Sequence, residues 1–327
     1  MKAIIPAAGS GTRLRPQTHT VPKPLVNVAG RPILGHILDG LEKIGIDRIG
    51  FILGERGEKI AQYVSSAYKF ELDYINQPER LGLGHAIYLY LKEKGFSDEP
   101  VLIILSDTVF EADLSQLLDS QYSSIGVNKV DDPQRFGIVE LEDIFIKKLV
   151  EKPTDPTSNL AIVGIYFIKN TGLLFECLQR LIDENIRTRG EYQLTDALQM
   201  MVERGEKMTT FPIEGWYDCG SPENLLKTNR HLLGKMGEHC DRPGCIVIPP
   251  VCIANSAVIE KSIIGPYVSI AAGSRVTDSI IRDAIINQNA IIRTALIKDS
   301  LIGDGAIFNG QFTSLNIGDS SEITLKQ

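Results

Sequence analysis

The segment PAAGSGTRLRPQTHTVPKPL, residues 6–25, carries two glycines, two arginines and a lysine among four prolines, directly after the apolar start MKAII. Gly9 and Gly11 let backbone N–H groups approach an oxyanion, so that several donors meet one phosphate at once. Arg13 offers phosphate a planar two-pronged donor, and Lys23 a mobile point charge. Pro22 and Pro24 stiffen the backbone around Lys23, which limits the entropy lost on binding. A carboxylate, Asp107, closes the otherwise apolar run VLIILSD at 101–107. Together these residue types describe phosphate chemistry; for the loop alone, a structural turn with surface cations is the competing reading. Known glycine-rich patterns fit poorly. No lysine follows a glycine at the Walker spacing, and the third place of G-x-G-x-x-G is Leu14.

The elements that must position these residues alternate. Residues 1–8 read as a buried strand, and the helix after the loop puts Ile33, Leu34, Ile37, Leu38, Leu41 and Ile44 on one face. RIGFILG (48–54), VLIILSD (101–107) and AIVGIYFI (161–168) are further strands, with helical patterns at 57–67, 172–184 and 193–204. Continuous apolar runs fit parallel strands covered on both faces, and the alternation implies a doubly wound, Rossmann-like α/β domain. Ligands of such sheets bind at the carboxyl ends of the strands, so the loop at 9–24 and Asp107 are expected to face one crevice.

After a final helix from Pro222 to about Leu233, a polar linker leads into a different pattern. Val247, Ile253, Ile259, Ile264, Ile270, Val276, Ile281, Ile286, Ile292, Ile297 and Ile302 recur at steps of five or six residues. This is the hexapeptide-type repeat of a left-handed parallel β-helix, each aliphatic pointing into a narrow core; a β-sandwich would instead alternate with period two. The expected division is 1–235 for the α/β domain and 236–327 for the β-helix. Coil ends expose unpaired strands, so a homo-oligomer is expected.

Bulk properties narrow the partners. A formal charge of −7 argues against a general nucleic-acid binder but not against phosphate ligands held by a local cationic loop. No run approaches the roughly 18 apolar residues of a membrane span, and the N-terminus has no apolar signal core. Five cysteines do not suggest a disulfide framework. Cys240 and Cys245 flank Pro243 and Gly244, yet without a second pair they read as reduced thiols rather than a metal knuckle. A cytoplasmic protein is expected.

The opening AAGSGTRLRP…VPKPL resembles the signature of sugar-1-phosphate nucleotidyltransferases. In that family's order follow NQPERLGLGHA (76–86), LSDT (105–108), RFGIVE (135–140), EKP (151–153), VGIYF (163–167), RGEYQLTD (189–196) and WYDCGSPENL (216–225). Each segment alone is weak; their order over roughly 1–233 is specific. The sequence most resembles the glucose-1-phosphate thymidylyltransferase branch that carries a β-helix tail.

The resemblance implies transfer of a nucleotidyl group from a nucleoside triphosphate to a sugar 1-phosphate, with Mg²⁺ held by Asp107 and Asp218. It implies that Ala8, Gly9, Ser10, Gly11, Thr12 and Arg13 bind the triphosphate, and that Lys23 meets the α-phosphate and the incoming phosphate. Gln77 would read the base, with the Gly82 backbone beside it. Gly137, Glu151, Lys152, Gly164, Tyr166 and Arg189 would take the sugar phosphate. LGLGHA also resembles uridylyltransferases, so thymine and uracil both stay open; mannose 1-phosphate with GTP is a further family alternative. His85, opening a helix, reads as structural.

Two other classes compete. Hexapeptide β-helices often host acyltransferases, which usually need a histidine base in the coils; all five histidines precede the repeat. A catalytically silent subunit would have lost the loop cations or the carboxylates, whereas Arg13, Lys23, Asp107, Lys152 and Asp218 are all present.

Overall fold

The apolar runs become neighbouring strands of one nine-stranded sheet. A computed structural model describes residues 1–237 and 241–312. The chain divides into two compact units, Met1–Thr228 and Asn229–Gln327.

In the first unit β1 (Lys2–Ala7), β2 (Arg48–Leu53), β3 (Glu71–Asn76) and β4 (Val101–Ile104) form the parallel half, in the order β3-β2-β1-β4. Ile4 and Ile5 of β1 are completely buried, as expected of a central strand covered on both faces. Each such side chain contributes about 1.5–3 kcal/mol relative to an exposed one. Helix α1 (Ile33–Lys43) buries Ile33, Leu34, Ile37, Leu38 and Leu41. Its last turn ends one residue before Ile44, which caps the helix rather than extending the stripe. Helices α2 (Gly57–Ala67) and α3 (Leu83–Lys94) follow β2 and β3.

Beyond β4 the sheet becomes mixed. Asp107 lies past the end of β4, and the chain continues as β5 (Thr108–Glu111), which leaves the main sheet. The remaining members are β6 (Ser123–Lys129), β7 (Gly137–Glu142), β8 (Phe145–Glu151), β9 (Leu160–Ile168) and β10 (Met208–Pro212). They complete the order β4-β9-β6-β10-β8-β7. β9 runs antiparallel to both β4 and β6, so an apolar run buried on both faces need not mark a parallel strand. Helices α4 (Thr171–Asp183) and α5 (Leu194–Glu203) lie between β9 and β10. β11 (Gly215–Asp218) pairs antiparallel with β5, setting Asp218 opposite Thr108. Helix α6 (Pro222–Met236) comes next.

In the second unit three four-stranded parallel sheets stack coil on coil, consistent with a left-handed β-helix. Val251 pairs with Val268, Val268 with Ala284 and Ala284 with Ser300, which gives the coil its sixteen- or seventeen-residue pitch. Ile253, Ile259, Ile264, Ile270, Val276, Ile281, Ile286 and Ile292 are all buried in its core. Cys177, Cys219, Cys245 and Cys252 are free thiols; Cys240 lies outside the described residues, and so does the pairing considered for it.

Candidate active site

The glycine loop leaves β1 at its carboxyl end and turns at Gly11, whose φ of 61° lies in the left-handed region. A Cβ there would stand 3.0 Å from Thr18 Cγ2 and 3.1 Å from Lys23 Cβ, so glycine is required twice over. Thr18 Oγ1 donates to the Gly11 carbonyl at 2.7 Å. Arg56 Nη1 donates to Thr18 O at 2.8 Å and Lys59 Nζ to Thr20 O at 2.7 Å, which fasten the loop from α2 and the residue before it. A Cβ on Gly9, by contrast, would meet nothing within 4 Å. Ala8 is buried, Ser10 partly so, and Thr12 exposed.

Lys23 is 8% exposed, and its Nζ donates to Asp107 Oδ2 at 2.7 Å. Thr108 Oγ1 lies 3.3 Å from the other oxygen, Oδ1. The backbone of Asp107 accepts from Cys219 N at 3.1 Å, so the paired strands hold Asp107 and Asp218 on one side. Asp218 Oδ2 accepts from Asn224 Nδ2 at 3.4 Å. Burial pushes the Cys219 thiol up to about 12, so this cysteine between Asp218 and Gly220 stays protonated and is no nucleophile.

A cleft of about 440 Å³ gathers Arg13, Asp107, Gly137, Glu151, Lys152, Gly164, Tyr166 and Asp218 in its lining. Glu151 pairs in register with Gly137, and its carboxylate takes Lys152 Nζ at 3.1 Å on Oε1 and Thr195 Oγ1 at 2.8 Å on Oε2. Lys152 has a φ of 45°. Gly164 sits at φ 87° inside an irregular stretch of β9, and a Cβ on it would lie 2.6 Å from Leu105 Cδ1; the protein itself demands glycine there. Tyr166 is 4% exposed, and burial, with Glu151 and Asp107 nearby, raises its hydroxyl well above the usual range. It therefore serves as a neutral wall of the cleft.

The other expected residues lie around this cleft rather than in its lining. Lys23 reaches it through the bond to Asp107. Gln77 follows the carboxyl end of β3 on the same sheet edge as the glycine loop, and Gly82 opens α3 beside Leu83, which does line the cleft. Arg189 is exposed and donates from Nη2 to the Lys152 carbonyl at 2.8 Å. Among the described residues no group of three or more His, Cys, Asp or Glu side chains is placed to hold a metal. Asp107 and Asp218 bring two carboxylates to the cleft lining, and carboxylate oxygens are the hard donor type that suits Mg²⁺.

Four residues escaped the sequence reading. Thr195 holds Glu151, although it stands inside the quoted RGEYQLTD. Phe136 and Trp216 meet edge to face at 4.9 Å in the cleft lining. Gly220 is the fourth: a Cβ there would lie 2.7 Å from Asp218 Oδ1 and 3.0 Å from Arg13 Nη2. Its position after Asp218 in DCGSP was the available signal.

Residues 2–235 match the family model described as Nucleotidyl transferase, and the chain belongs to that family. Among curated relatives it is 38% identical over 240 residues to the bifunctional protein GlmU of Methanococcus maripaludis, covering 72% of this chain and 55% of that protein. The chain therefore spans about half the length of the archaeal GlmU relatives it matches. It is 34% identical over 309 residues to the glucose-1-phosphate thymidylyltransferase of Streptomyces antibioticus, covering 85% of each. A solved UDP-glucose pyrophosphorylase complexed with UDP-glucose superimposes with a TM-score of 0.61 at 25% identity, covering 72% of this chain and 98% of that one.

Proposed function

We propose that the protein transfers a nucleotidyl group from a nucleoside triphosphate to a sugar 1-phosphate, releasing pyrophosphate, with dTTP and glucose 1-phosphate the favoured pair. The reading is carried by one observation: a cation-bearing glycine loop, two carboxylates on paired strands and a Glu–Lys pair meet around a single cleft. The sugar-phosphate oxygen attacks the α-phosphorus, the bond to the bridging oxygen of the β-phosphate breaks, and pyrophosphate takes the electron pair. A phosphate monoester is already anionic, so the chain needs no general base. Its task is positioning and charge neutralisation.

Arg13 and the backbone from Ala8 to Thr12 take the β- and γ-phosphates, and Lys23 the charge that concentrates at the α-phosphate. Lys152 and Arg189 take the sugar phosphate, and Glu151, oriented by Thr195, accepts from sugar hydroxyls. Gly137, Gly164 and Tyr166 shape the wall behind the sugar. Asp107 and Asp218 would hold Mg²⁺, which supplies further neutralisation of the phosphates when bound. UTP is the second reading for the nucleotide, favoured by the likeness to GlmU and to UDP-glucose pyrophosphorylase. A cytoplasmic setting and a homo-oligomer complete the proposal, the latter because the ends of a β-helix expose unpaired strands.

The test is pyrophosphate release with Mg²⁺ from dTTP, UTP, GTP and CTP crossed with glucose 1-phosphate and mannose 1-phosphate. Release from dTTP or UTP with glucose 1-phosphate supports the reading. No release with any pair sinks it in favour of a silent subunit.

A further inference from the structure

Gln77 is 7% exposed, and its backbone N–H donates to Leu53 O at 2.7 Å at the carboxyl end of β2. Its side-chain Nε2 stands 3.3 Å from the Gly82 carbonyl oxygen and 3.3 Å from His85 Nδ1. A backbone carbonyl can only accept, so the atom facing it is the amide NH₂ and not the amide oxygen. One amide hydrogen goes to Gly82 O. The second points at His85 Nδ1, which must then be the bare nitrogen of the ring, with the proton on Nε2. Both hydrogens of the Gln77 amide are thereby held inside the protein. Its Oε1 has no protein partner among the described residues, and it is not among their buried polar atoms.

Resting on the nucleotidyl-transfer reading above, we infer that His85 is a positioning residue for base selection. It pins the Gln77 amide so that the base meets an acceptor alone, and the site takes uracil or thymine, which carry an N3–H, over cytosine, whose N3 is itself an acceptor. Two acceptors brought face to face in a half-buried site lose their water and gain no partner. Such a mismatch separates substrates far more strongly than a missing methylene does.

The surroundings keep the ring in place and uncharged. Gly84 N donates to Tyr192 O at 2.8 Å and Tyr192 N to Leu81 O at 2.8 Å, clamping the start of α3 against the segment before α5. The Tyr192 ring lies 6.3 Å from that of His85. Burial lowers the His85 pKa below its usual 6.5; Glu79, through its carboxylate and its carbonyl, pulls the other way, and Arg187 adds to the lowering. Protonation would put a hydrogen on Nδ1, facing the Gln77 NH₂ donor to donor. The amide then has reason to turn over, and selection against cytosine weakens. Selection therefore holds at pH 7–8 and erodes only on the acid side of the usual histidine value of 6.5, which burial lowers here.

The test measures binding of UTP, dTTP and CTP to the full chain by calorimetry with Mg²⁺, without sugar phosphate, and kcat and KM with glucose 1-phosphate. His85→Leu should cut the preference for UTP or dTTP over CTP about tenfold or more, through KM and with kcat changed less than threefold. His85→Asn, whose Oδ1 stands where Nδ1 stood, should keep the preference within threefold. Lowering the pH from 7.5 to 5.5 should reduce the preference of the wild type and leave that of His85→Asn flat. Should His85→Leu misfold, nitrogen-detected NMR of the wild-type ring decides, since the Nε2–H tautomer is expected at pH 7.5. An unchanged preference in His85→Leu, parallel pH profiles or an Nδ1–H ring overturns the assignment, as does wild type that binds none of the three nucleotides. Nucleotide binding without pyrophosphate release from any pair would sink the transfer reaction and leave the His85 result standing.

Discussion

Lys23 Nζ donates to Asp107 Oδ2 at 2.7 Å, joining the glycine loop to the strand-end carboxylate across 84 residues of sequence. The lysine side chain is 9% exposed and the aspartate 37%, so the pair is anchored on its cationic side and open on its anionic one. Phosphate oxygens entering the cleft compete for the same ammonium. On the proposed function, replacing Lys23 by Met removes a charge from where the transition state would gather negative charge, and kcat should fall by about 100-fold or more. Because Asp107 stays partly hydrated, the stability loss should be only about 1–2 kcal/mol. Lys23→Arg should not rescue the rate, since a wide planar fork does not fit where a buried point charge was held. Pyrophosphate release and thermal melts check both numbers, and a Lys23→Met enzyme with near-normal kcat would remove this lysine from the chemistry.

The carboxylates make a separate claim. Asp107→Asn and Asp218→Asn both keep an oxygen acceptor, so Asn224 retains its partner at position 218 and the fold should survive. Turnover of Asp107→Asn should drop by about three orders of magnitude. Asp218→Asn should raise the Mg²⁺ concentration needed for half-maximal rate. Chelation of the wild type should abolish activity, with recovery on adding Mg²⁺. Near-normal turnover in Asp107→Asn would show the metal assignment to be wrong.

Two glycines of the site separate ligand demands from protein demands. Gly164→Ala forces a Cβ to 2.6 Å from Leu105 at a φ of 87°, so denaturant unfolding should report a loss of about 1–3 kcal/mol. Gly9→Ala meets open space on the protein side and should change stability by less than about 0.5 kcal/mol. Its cost should appear in the KM for nucleotide if, as proposed, backbone donors approach phosphate through that open space. Equal stability losses in the two variants would refute the distinction.

These contrasts mark what the residue string could and could not disclose. Periodicity announced α1, the central strands and the β-helix, because burial on one face or in a narrow core imposes a spacing that survives as a pattern of letters. The antiparallel direction of β9 was not legible: a strand covered on both faces reads the same whichever way it runs. Arg13 and Asp107 stood out by type, and Lys152 and Asp218 by resemblance. Thr195 and Gly220 did not, since a threonine opening a helix and a glycine in a turn have ordinary local reasons to be there. Only the fold brings Thr195 to Glu151 from 44 residues away, and Gly220 beside both Arg13 and Asp218.

Thr195 therefore deserves its own variant. Thr195→Val keeps shape and removes the hydroxyl that holds Glu151 Oε2. Glu151 retains Lys152 Nζ on its other oxygen, so the carboxylate should stay in the cleft but lose one fixed direction. The expected result is a rise in KM for the sugar phosphate of about three- to tenfold, equivalent to a hydrogen bond of about 1 kcal/mol, with the KM for nucleotide unchanged. An equal rise for both substrates would mean that Thr195 supports the cleft as a whole and not the sugar end of it.

The β-helix supplies the prediction for assembly. Ile246, Ile263, Ile280 and Leu296 pair in register on successive coils, while their neighbours Ile264 and Ile281 fill the core. Alternation along the strands thus turns the first four outward as one aliphatic ladder, with Leu296 83% and Ile280 45% exposed. Phe308 and Phe312 line the same groove. Strand-edge pairing protects nothing on this face, and a contiguous apolar ladder is the kind of surface that a second copy of the chain covers. Ile280→Glu with Leu296→Glu leaves the core residues untouched, so the coil should stay folded by circular dichroism. In light scattering at micromolar concentration the wild type should exceed the monomer mass, and the double variant should fall towards it. A wild type that is already monomeric there would remove the homo-oligomer from the proposal.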